Sequence, residues 1–436
     1  MNPIGLVLIV ATALFPAYQL FSLPNISDQV ALFSQCLGLS ALILMAWGQV
    51  LATRLPGIEA VFGGLDRVYV LHKWAGIFAM VAILLHDTID AEMRGLGRET
   101  GLNELAETLG ELSLYGLLIL VVISVATFIP YHLWKWTHKA MGALFAAGSF
   151  HFVFIMKPFA MTDPAGMYTG LFCFVGLMAY GWTLLPDHMR PSRVYRISDL
   201  DQTGGATAIT MAPVGAGLRP DPGQFGILRL TGANKSEPHP FSFSKISTDG
   251  ELRVTVKALG DFTMNLGNTA SVGQEVRIQG PFGRFRLLGK GPAVWIAGGI
   301  GITPFLAWAE ALDTEVGPVD LFFCMRSRAE APHLAEIENI ADQKPNLTLH
   351  VIASAEGSRL SAEVVAQAIG IDLSKAKVAF CGPVSLRRLL QNGLRRYGVT
   401  PRRFRYEEFE FRTGIGLNRL ARWILNRRGK NCTKQV

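Results

Sequence analysis

The sequence predicts an α-helical membrane bundle of six spans followed by a soluble module in two parts, an antiparallel β-barrel and an α/β domain on a parallel sheet. Three observations carry that expectation. Half of the 436 residues are hydrophobic, and the excess is confined to the chain before about residue 186. Four histidines, His72, His86, His138 and His151, lie in two long apolar stretches at spacings of 14 and 13. Beyond about residue 192, runs of period-two alternation give way to a strand, a glycine-rich turn and an apolar helix.

A hydrocarbon core of about 30 Å asks for roughly 20 apolar residues per helix. Six stretches qualify, at about 4–21, 29–51, 68–89, 110–130, 136–157 and 166–185. The first lacks a basic leader and a small-residue cleavage site, so it reads as a retained span rather than a signal peptide. Arg54, Arg67 and Lys73 stand before or at the start of the third span, Lys135 and Lys139 at the start of the fifth, and Arg190, Arg193 and Arg196 after the sixth. The segment from Asp87 to Glu111 reads as an acidic loop: Asp87, Asp90, Glu92, Glu99, Glu104, Glu107 and Glu111 face only Arg94 and Arg98. Positive-inside bias then places both termini and the soluble module in the cytoplasm.

At about 1.5 Å rise per residue, each histidine spacing separates two imidazoles by roughly 20 Å on one helix face. Any one of them is accounted for by a hydrogen bond to a neighbouring helix. Imidazole inside a span is costly, however, and marks a functional site. Four in two matching pairs point to two stacked haems, His72 with His138 near the cytoplasmic face and His86 with His151 near the outer one. A different metal is disfavoured, because ligands that far apart cannot meet on one ion and no short zinc spacing such as Cys-x-x-Cys occurs. His132 and His188, near the cytoplasmic boundary, read as surface residues.

The formal charge of +7 does not argue for nucleic acid, since much of it sits in cytoplasmic loops and in a basic tail over 413–436. Leu417, Leu420, Trp423, Ile424 and Leu425 give that tail an apolar face at helical spacing, so membrane lipid is one partner and plain solvation the other reading. Five scattered cysteines give no disulfide framework.

In the soluble half, Val194 to Ile197, Ala208 to Met211, Phe225 to Leu230 and Leu252 to Val256 read as barrel strands, the barrel ending near Phe285 to Leu288. Strands at Ala293 to Ala297, Val319 to Cys324, Thr348 to Ile352 and Val378 to Phe380 then alternate with helices. The turn Gly298-Gly299-Ile300-Gly301-Ile302-Thr303-Pro304 joins the first of these strands to a helix from about Thr303 to Leu312. Glycine lets the main chain approach a pyrophosphate, and the helix start offers free N–H groups. Pro304 stands where the dinucleotide fingerprint has Gly or Ala, so a plain tight turn is the competing reading.

Glu237-Pro238-His239-Pro240-Phe241-Ser242-Phe243-Ser244, then Val256-Lys257-Ala258-Leu259-Gly260-Asp261-Phe262-Thr263, Gly280-Pro281-Phe282-Gly283 and Phe380-Cys381-Gly382-Pro383 follow one another in this order behind the histidine pairs. The set resembles the NADPH oxidase and ferric reductase flavocytochromes of membranes, prokaryotic members among them, from the first span to about Arg412. The resemblance implies a haem domain over 1–190, then a ferredoxin-NADP reductase-like module with an FAD-binding barrel over 191–290 and an NADPH-binding domain over 291–412, in a bacterial inner membrane. It implies two b-type haems, FAD and NADPH. His239, Pro240, Phe241 and Ser242 would line the flavin, with Ser242 where the oxidases usually have Thr. Lys257, Gly260, Asp261 and Thr263 would receive the FAD diphosphate, Lys257 replacing a common arginine. Gly299, Gly301, Thr303, Pro304, Cys381, Gly382 and Pro383 would hold the nicotinamide nucleotide. In Tyr406-Glu407-Glu408-Phe409-Glu410-Phe411, Phe409 would stack on the flavin, with Phe411 the second choice and core packing the alternative. Phe409, Ser242 and Cys381 are thus the expected catalytic residues. Arg326 and Arg328, after the second α/β strand, favour the 2′-phosphate of NADPH over NADH, although solvated arginines are the plainer reading and Glu330 is near.

The expected activity is electron transfer from cytoplasmic NADPH through FAD and both haems to an acceptor at the outer face. Bis-histidine ligation and short outer loops favour oxygen, reduced to superoxide. The acidic loop after His86 keeps a ferric chelate open, and an extracytoplasmic electron-acceptor protein is the third reading. No EF-hand pattern or long cytoplasmic insertion is evident, so activity without a regulatory subunit is expected.

Overall fold

The computed structural model describes residues 3–21, 29–89 except Pro56, 100–125, 131–186, 189–231, 238–258 and 270–407 except Leu288 and Lys290, with Thr263, Met264 and Leu266 between. The described chain forms two compact units, one up to Pro186 and one from Asp187 onward.

The first unit is helical: α1 (Pro3–Phe21), α2 (Gln29–Ala52), a short α3 (Ile58–Phe62), α4 (Leu65–Thr88), α5 (Asn103–Val125), α6 (Tyr131–Phe154) and α7 (Pro164–Leu184). Five of these are long and apolar enough to cross a membrane: α1, α2, α4, α5 and α7. Helix α6 is as long, but Lys135, Lys139, His138 and His151 lower its hydropathy. Helix α2 packs on α4, and α5 on α6. Small residues such as Ala75, Ala79 and Ala82 bury the inner face of α4, while Phe78 and Val81 point outward. Ile119, Val122, Phe174 and Met178 are likewise more than half or nearly half exposed elsewhere in the bundle. A continuous apolar exterior of this kind suits lipid and not water.

The acidic loop is shorter than its composition suggests. Helix α5 starts at Asn103, so Glu104, Glu107 and Glu111 ride on its first turns, where negative charge opposes the positive end of the helix dipole. The Asn103 amide donates to Glu107 (2.8 Å), its carbonyl oxygen accepts from Met156 N–H (2.8 Å), and Thr100 donates to Phe154 O (2.8 Å). The segment is thereby tied to the end of α6. Residues 90–99, with Asp90, Glu92, Arg94, Arg98 and Glu99, lie outside the described residues.

The second unit opens with six strands, β1 (Arg193–Thr203), β2 (Ala206–Pro213), β3 (Phe225–Leu230), β4 (His239–Ile246), β5 (Leu252–Lys257) and β6 (Glu275–Phe282). They close an antiparallel barrel in the order β1-β2-β5-β4-β3-β6 around Tyr195, Met211, Phe243, Val254 and Ile278. The last barrel strand ends at Phe282, earlier than its apolar run suggests. Phe285 instead stacks on Trp308 of the next domain at 4.6 Å.

That domain contains β7 (Ala293–Gly298), α8 (Thr303–Glu310), β8 (Val319–Met325), α9 (Leu334–Gln343), β9 (Leu347–Ala353), α10 (Ala362–Ala368), β10 (Lys377–Cys381), α11 (Val384–Leu394) and β11 (Phe404–Glu407). Its parallel sheet has the order β11-β10-β7-β8-β9. Ala293, Trp295 and Ala297 pack one face while Val294 and Ile296 pack the other, so the strand is apolar throughout.

A buried polar network joins barrel and sheet. Arg253 on β5 meets Glu336 on α9 at 2.7 Å, and Glu336 also accepts from His333 Nδ1 at 2.6 Å. The other ring nitrogen of His333 meets Thr255 at 2.8 Å. Burial opposes ionisation of Glu336, but hydrogen bonds from His333 and Arg253, and the charge of both, outweigh it and hold the carboxyl down to about 2. Its folded value lies below its unfolded one, so its stabilisation is complete above the usual carboxylate range and is lost as pH falls toward 2. Glu336→Gln is expected to cost about 2 kcal/mol near neutral pH, with the gap to wild type narrower, though not yet closed, at about pH 3. Tryptophan-fluorescence melts at both pH values measure it; a gap that does not change with pH contradicts this account.

Candidate functional site

In the helical unit the four histidines are each partly buried and each tied through Nδ1 to a neighbouring helix. His72 meets Gly48 O at 2.9 Å, and His86 meets Ser34 O at 2.9 Å and Ser34 Oγ at 2.8 Å, all on α2. His151 meets Ala106 O at 2.8 Å and His138 meets Ser124 Oγ at 3.2 Å, both on α5. A carbonyl only accepts, so Nδ1 of His72, His86 and His151 carries the proton and Nε2 keeps the lone pair. That is the tautomer that ligates a metal through Nε2.

Glycine makes room for the rings. A Cβ on Gly38 would stand 3.3–3.4 Å from three atoms of the His86 ring, and one on Gly110 would stand 2.5 Å from His151 Nδ1. Across the bundle, the rings of His72 and His138 face each other with centroids 5.8 Å apart and planes inclined by 60°. Trp134 stacks on the far side of His138 at 4.9 Å. Among the described residues no three His, Cys, Asp or Glu side chains converge as a metal cage, so the imidazoles are arranged as pairs.

In the second unit the chemistry gathers at the carboxyl ends of β7, β10 and β11. Chain order reverses between the adjacent strands β7 and β10, the place where open α/β sheets bind ligands. Gly299 takes a positive φ of 56°, which a residue with a side chain rarely adopts. Gly301 lies against the Cys381 carbonyl so closely that a Cβ would overlap it. Thr303 is buried and donates to Ile300 O at 3.1 Å, bracing the turn. Pro304 occupies the first turn of α8, where its missing N–H has no intrahelical partner to lose.

Ser242, buried on β4, donates to Glu407 on β11 at 3.3 Å. Glu407 is the register partner of Cys381 on β10. Burial, and then the Glu407 charge, push the fully buried Cys381 thiol well up, so it stays a neutral S–H donor and not a thiolate. The Ser242 hydroxyl thus reaches Glu407, which stands in register with Cys381 on the adjacent strand.

Residues 37–149 match the family model of the ferric reductase like transmembrane component, and residues 295–392 match that of the oxidoreductase NAD-binding domain. The chain thus joins a ferric reductase-like transmembrane domain to an oxidoreductase NAD-binding domain, and it is an oxidoreductase. The toluate 1,2-dioxygenase electron transfer component of Pseudomonas putida is 28% identical over 197 residues, 43% of this chain and 58% of the relative. A flavohemoprotein of Pseudomonas putida is 29% identical over 208 residues, 44% of this chain and 52% of the relative. The chain spans about half the length of the curated relatives it matches. Among solved structures, a flavohemoglobin from Malassezia yamatoensis with bound FAD and heme is 18% identical, covering 87% of this chain and 96% of its own at a TM-score of 0.48. The FAD/NAD-binding domain of a nitric oxide dioxygenase from Vibrio cholerae is 23% identical, covering 50% and 98% at a TM-score of 0.45. The family matches support binding of FAD and NAD(P)H by an oxidoreductase that is an integral membrane protein.

The remaining expected site residues scatter more. His239, Pro240 and Phe241 lead β4 with partly exposed side chains, and Lys257 ends β5 opposite Ala206. Arg326 is exposed just past β8, whereas Arg328 already pairs with Glu338 at 3.3 Å. Thr263 is described, but Gly260, Asp261, Phe409, Phe411, His188 and the basic tail lie outside the described residues. Reading the sequence for ligands missed Glu407 and the α2 and α5 partners of the histidines. One signal was present: Ser34 and Gly48 stand 14 apart, as do His72 and His86 on the antiparallel neighbour. Ser242→Ala and Glu407→Gln are each expected to slow NADPH-driven bleaching of the flavin by about 10²-fold without loss of bound FAD. Stopped-flow absorbance checks this, and wild-type rates in both variants would remove the trio from the reaction.

Proposed function

We propose that the protein moves electrons from cytoplasmic NADPH across a bacterial inner membrane to oxygen at the outer face, releasing superoxide, with FAD and two b-type haems as resident cofactors. The observation that carries this reading is the pairing of tethered imidazoles. The rings of His72 and His138 stand with centroids 5.8 Å apart, a separation at which the two imidazoles could hold one haem iron. His86 and His151 form the second pair, close enough to interact electrostatically. When bound, the flavin and the haems supply the change from a two-electron donor to single electrons and the path across the bilayer.

The chain's own residues supply position. Gly48, Ser34, Ala106 and Ser124 fix the rings of His72, His86, His151 and His138, the residues that would hold the two haems. Ser242, Cys381 and Glu407 hold a proton beside the flavin-binding strand. Arg326, free of ion pairs among the described residues, is placed to meet a 2′-phosphate, which supports NADPH over NADH. Loop charge supports a cytoplasmic module.

The acidic residues at the start of α5 favour oxygen over a ferric chelate or a docked protein, because Glu104 and Glu107 already serve the helix end and its tie to α6. Those two acceptors remain outcomes of the test. Purified protein loaded with haem and FAD is given NADPH, then NADH, and reduction of cytochrome c is followed in air with and without superoxide dismutase. Most of the signal is expected to vanish with the dismutase. A signal that survives sinks the oxygen reading in favour of direct transfer to metal or protein.

The histidine assignment is tested separately. Gly110→Leu drives a side chain into the His151 ring and is expected to lower bound haem from two per chain toward one, as counted by the pyridine haemochrome spectrum. His86→Ala is expected to do the same and to abolish cytochrome c reduction while flavin bleaching persists. Two haems per chain in both variants would show that these histidines are not ligands.

A further inference from the structure

At the amino-terminal ends of β10 and β11, five basic side chains line one cleft of about 180 Å³: Lys375, Lys377, Arg402, Arg403 and Arg405. Arg402 and Arg403 also line an adjoining hollow of about 650 Å³ with Ser374, Thr400 and Pro401. The parallel register explains the crowding. Val378 pairs with Phe404 and Ala379 with Arg405, which sets Lys377 beside Arg403. Alternate residues of a strand share a face, so Val378 and Phe404 fill the core while Lys377, Arg403 and Arg405 emerge together on the other side.

The charge is poorly balanced. The nearby carboxylate, Asp372, stands 3.9 Å from Lys375 and already accepts from Ser374 N–H at 2.9 Å. Among the described residues Arg402, Arg403 and Arg405 form no ion pair, and all three are exposed. The anchors of the strand pair are apolar, although Lys377 also donates to Gly289 O at 3.1 Å. Like charges crowded into a concave surface repel one another and raise the local concentration of anions. Guanidinium forks match phosphate oxygens in pairs. The cleft is also at the opposite end of the sheet from the Cys381–Gly382 crevice, so its ligand does not compete with the dinucleotide.

We propose that this cleft binds an anion carrying clustered phosphates, either the headgroups of anionic lipid or a soluble oligophosphate. Both sources offer several negative charges within the span of the five cations. A chain with its own membrane helices is never far from the first source, and each basic residue near such a surface contributes to binding.

The test uses the full-length protein in nanodiscs. Discs of zwitterionic lipid are titrated with tripolyphosphate by calorimetry, and discs with and without phosphatidylglycerol are compared by hydrogen–deuterium exchange over residues 400–406. Wild type is set against Arg402→Gln/Arg403→Gln/Arg405→Gln and against a charge-matched control, Arg388→Gln/Arg395→Gln/Arg396→Gln. The cleft variant is expected to lose tripolyphosphate affinity by at least about a hundredfold, and the control by no more than about threefold. A soluble source gives that pattern. A lipid source gives protection of 400–406 in anionic discs for wild type and control but not for the cleft variant. If neither ligand separates the cleft variant from the control, the proposal is overturned. NADPH-driven flavin bleaching, unchanged in the cleft variant, shows that the fold survives the substitutions.

Discussion

An imidazole among apolar helices has two nitrogens to satisfy, and in this bundle one of them is always given to an adjacent helix. For His86 and His151 the acceptor is a main-chain carbonyl, of Ser34 and of Ala106, lying within a regular helix. Such a carbonyl accepts an intrahelical bond from the residue four positions on, whose side chain leans back over it. In both cases that residue is glycine, Gly38 and Gly110. The second lone pair is therefore open, and the ring lies where a side chain would have been. Gly48, the acceptor for His72, is followed four residues later by Ala52, again a small residue. The contacts set the rotation of α4 against α2 and of α6 against α5, and they set the tautomer of three rings.

The parts of this fold that were legible in the sequence are those written in side-chain pattern. Six apolar stretches, two histidine spacings and the Gly298–Pro304 turn are visible because length, periodicity and residue type encode them directly. The acceptors of the histidines are less visible, since a main-chain carbonyl has the same chemistry at every position. What marks it is the absence of a side chain four residues later, a signal that means little until the partner helix is known. The start of α5 was misplaced for a related reason. Acidic residues read as a solvated loop, yet at a helix start the dipole and an Asn103 side chain hold them in the first turns. The stacking aromatic expected at Phe409 lies beyond the described residues, so the structure adds nothing to that expectation.

Strand β11 was the other omission, and it bears on the site more than any other element. Phe404-Arg405-Tyr406-Glu407 is short and carries charge at alternate positions, so it lacks the apolar run that betrayed the inner strands. As an edge strand of a parallel sheet it needs only one buried face, which Phe404 provides. Its two ends do different things. Glu407 reaches Ser242 and stands beside Cys381 at the carboxyl end, while Arg403 and Arg405 enter the basic cleft at the other. One strand thus brings a carboxylate to Ser242 on β4 and cations to the far edge of the same sheet. Alternation along the strand keeps Tyr406 off the cationic face; it lies instead under the guanidinium of Arg387 at 4.1 Å.

Tethering the rings also limits what chemistry the proposed haem pairs permit. A histidine whose Nδ1–H is held by a carbonyl of a packed helix cannot swing away without breaking that bond and leaving a buried carbonyl lone pair and a buried N–H unsatisfied. The cost of such an orphaned pair is about 1–3 kcal/mol per group, and more in lipid, where water is not at hand to replace the lost partner. Swinging a ring away from a metal that it would hold therefore also means breaking the contact to the helix. If these histidines hold haem iron, the tethering would disfavour an acceptor that has to displace one of them. Of the proposed acceptors, oxygen, a ferric chelate and a partner protein, only oxygen would need no docking surface at the His86 and His151 ends of α4 and α6. The Asn103 and Thr100 contacts occupy part of that end already, joining the start of α5 to the close of α6 beside His151. The smallest acceptor is the one that asks least of the space that remains.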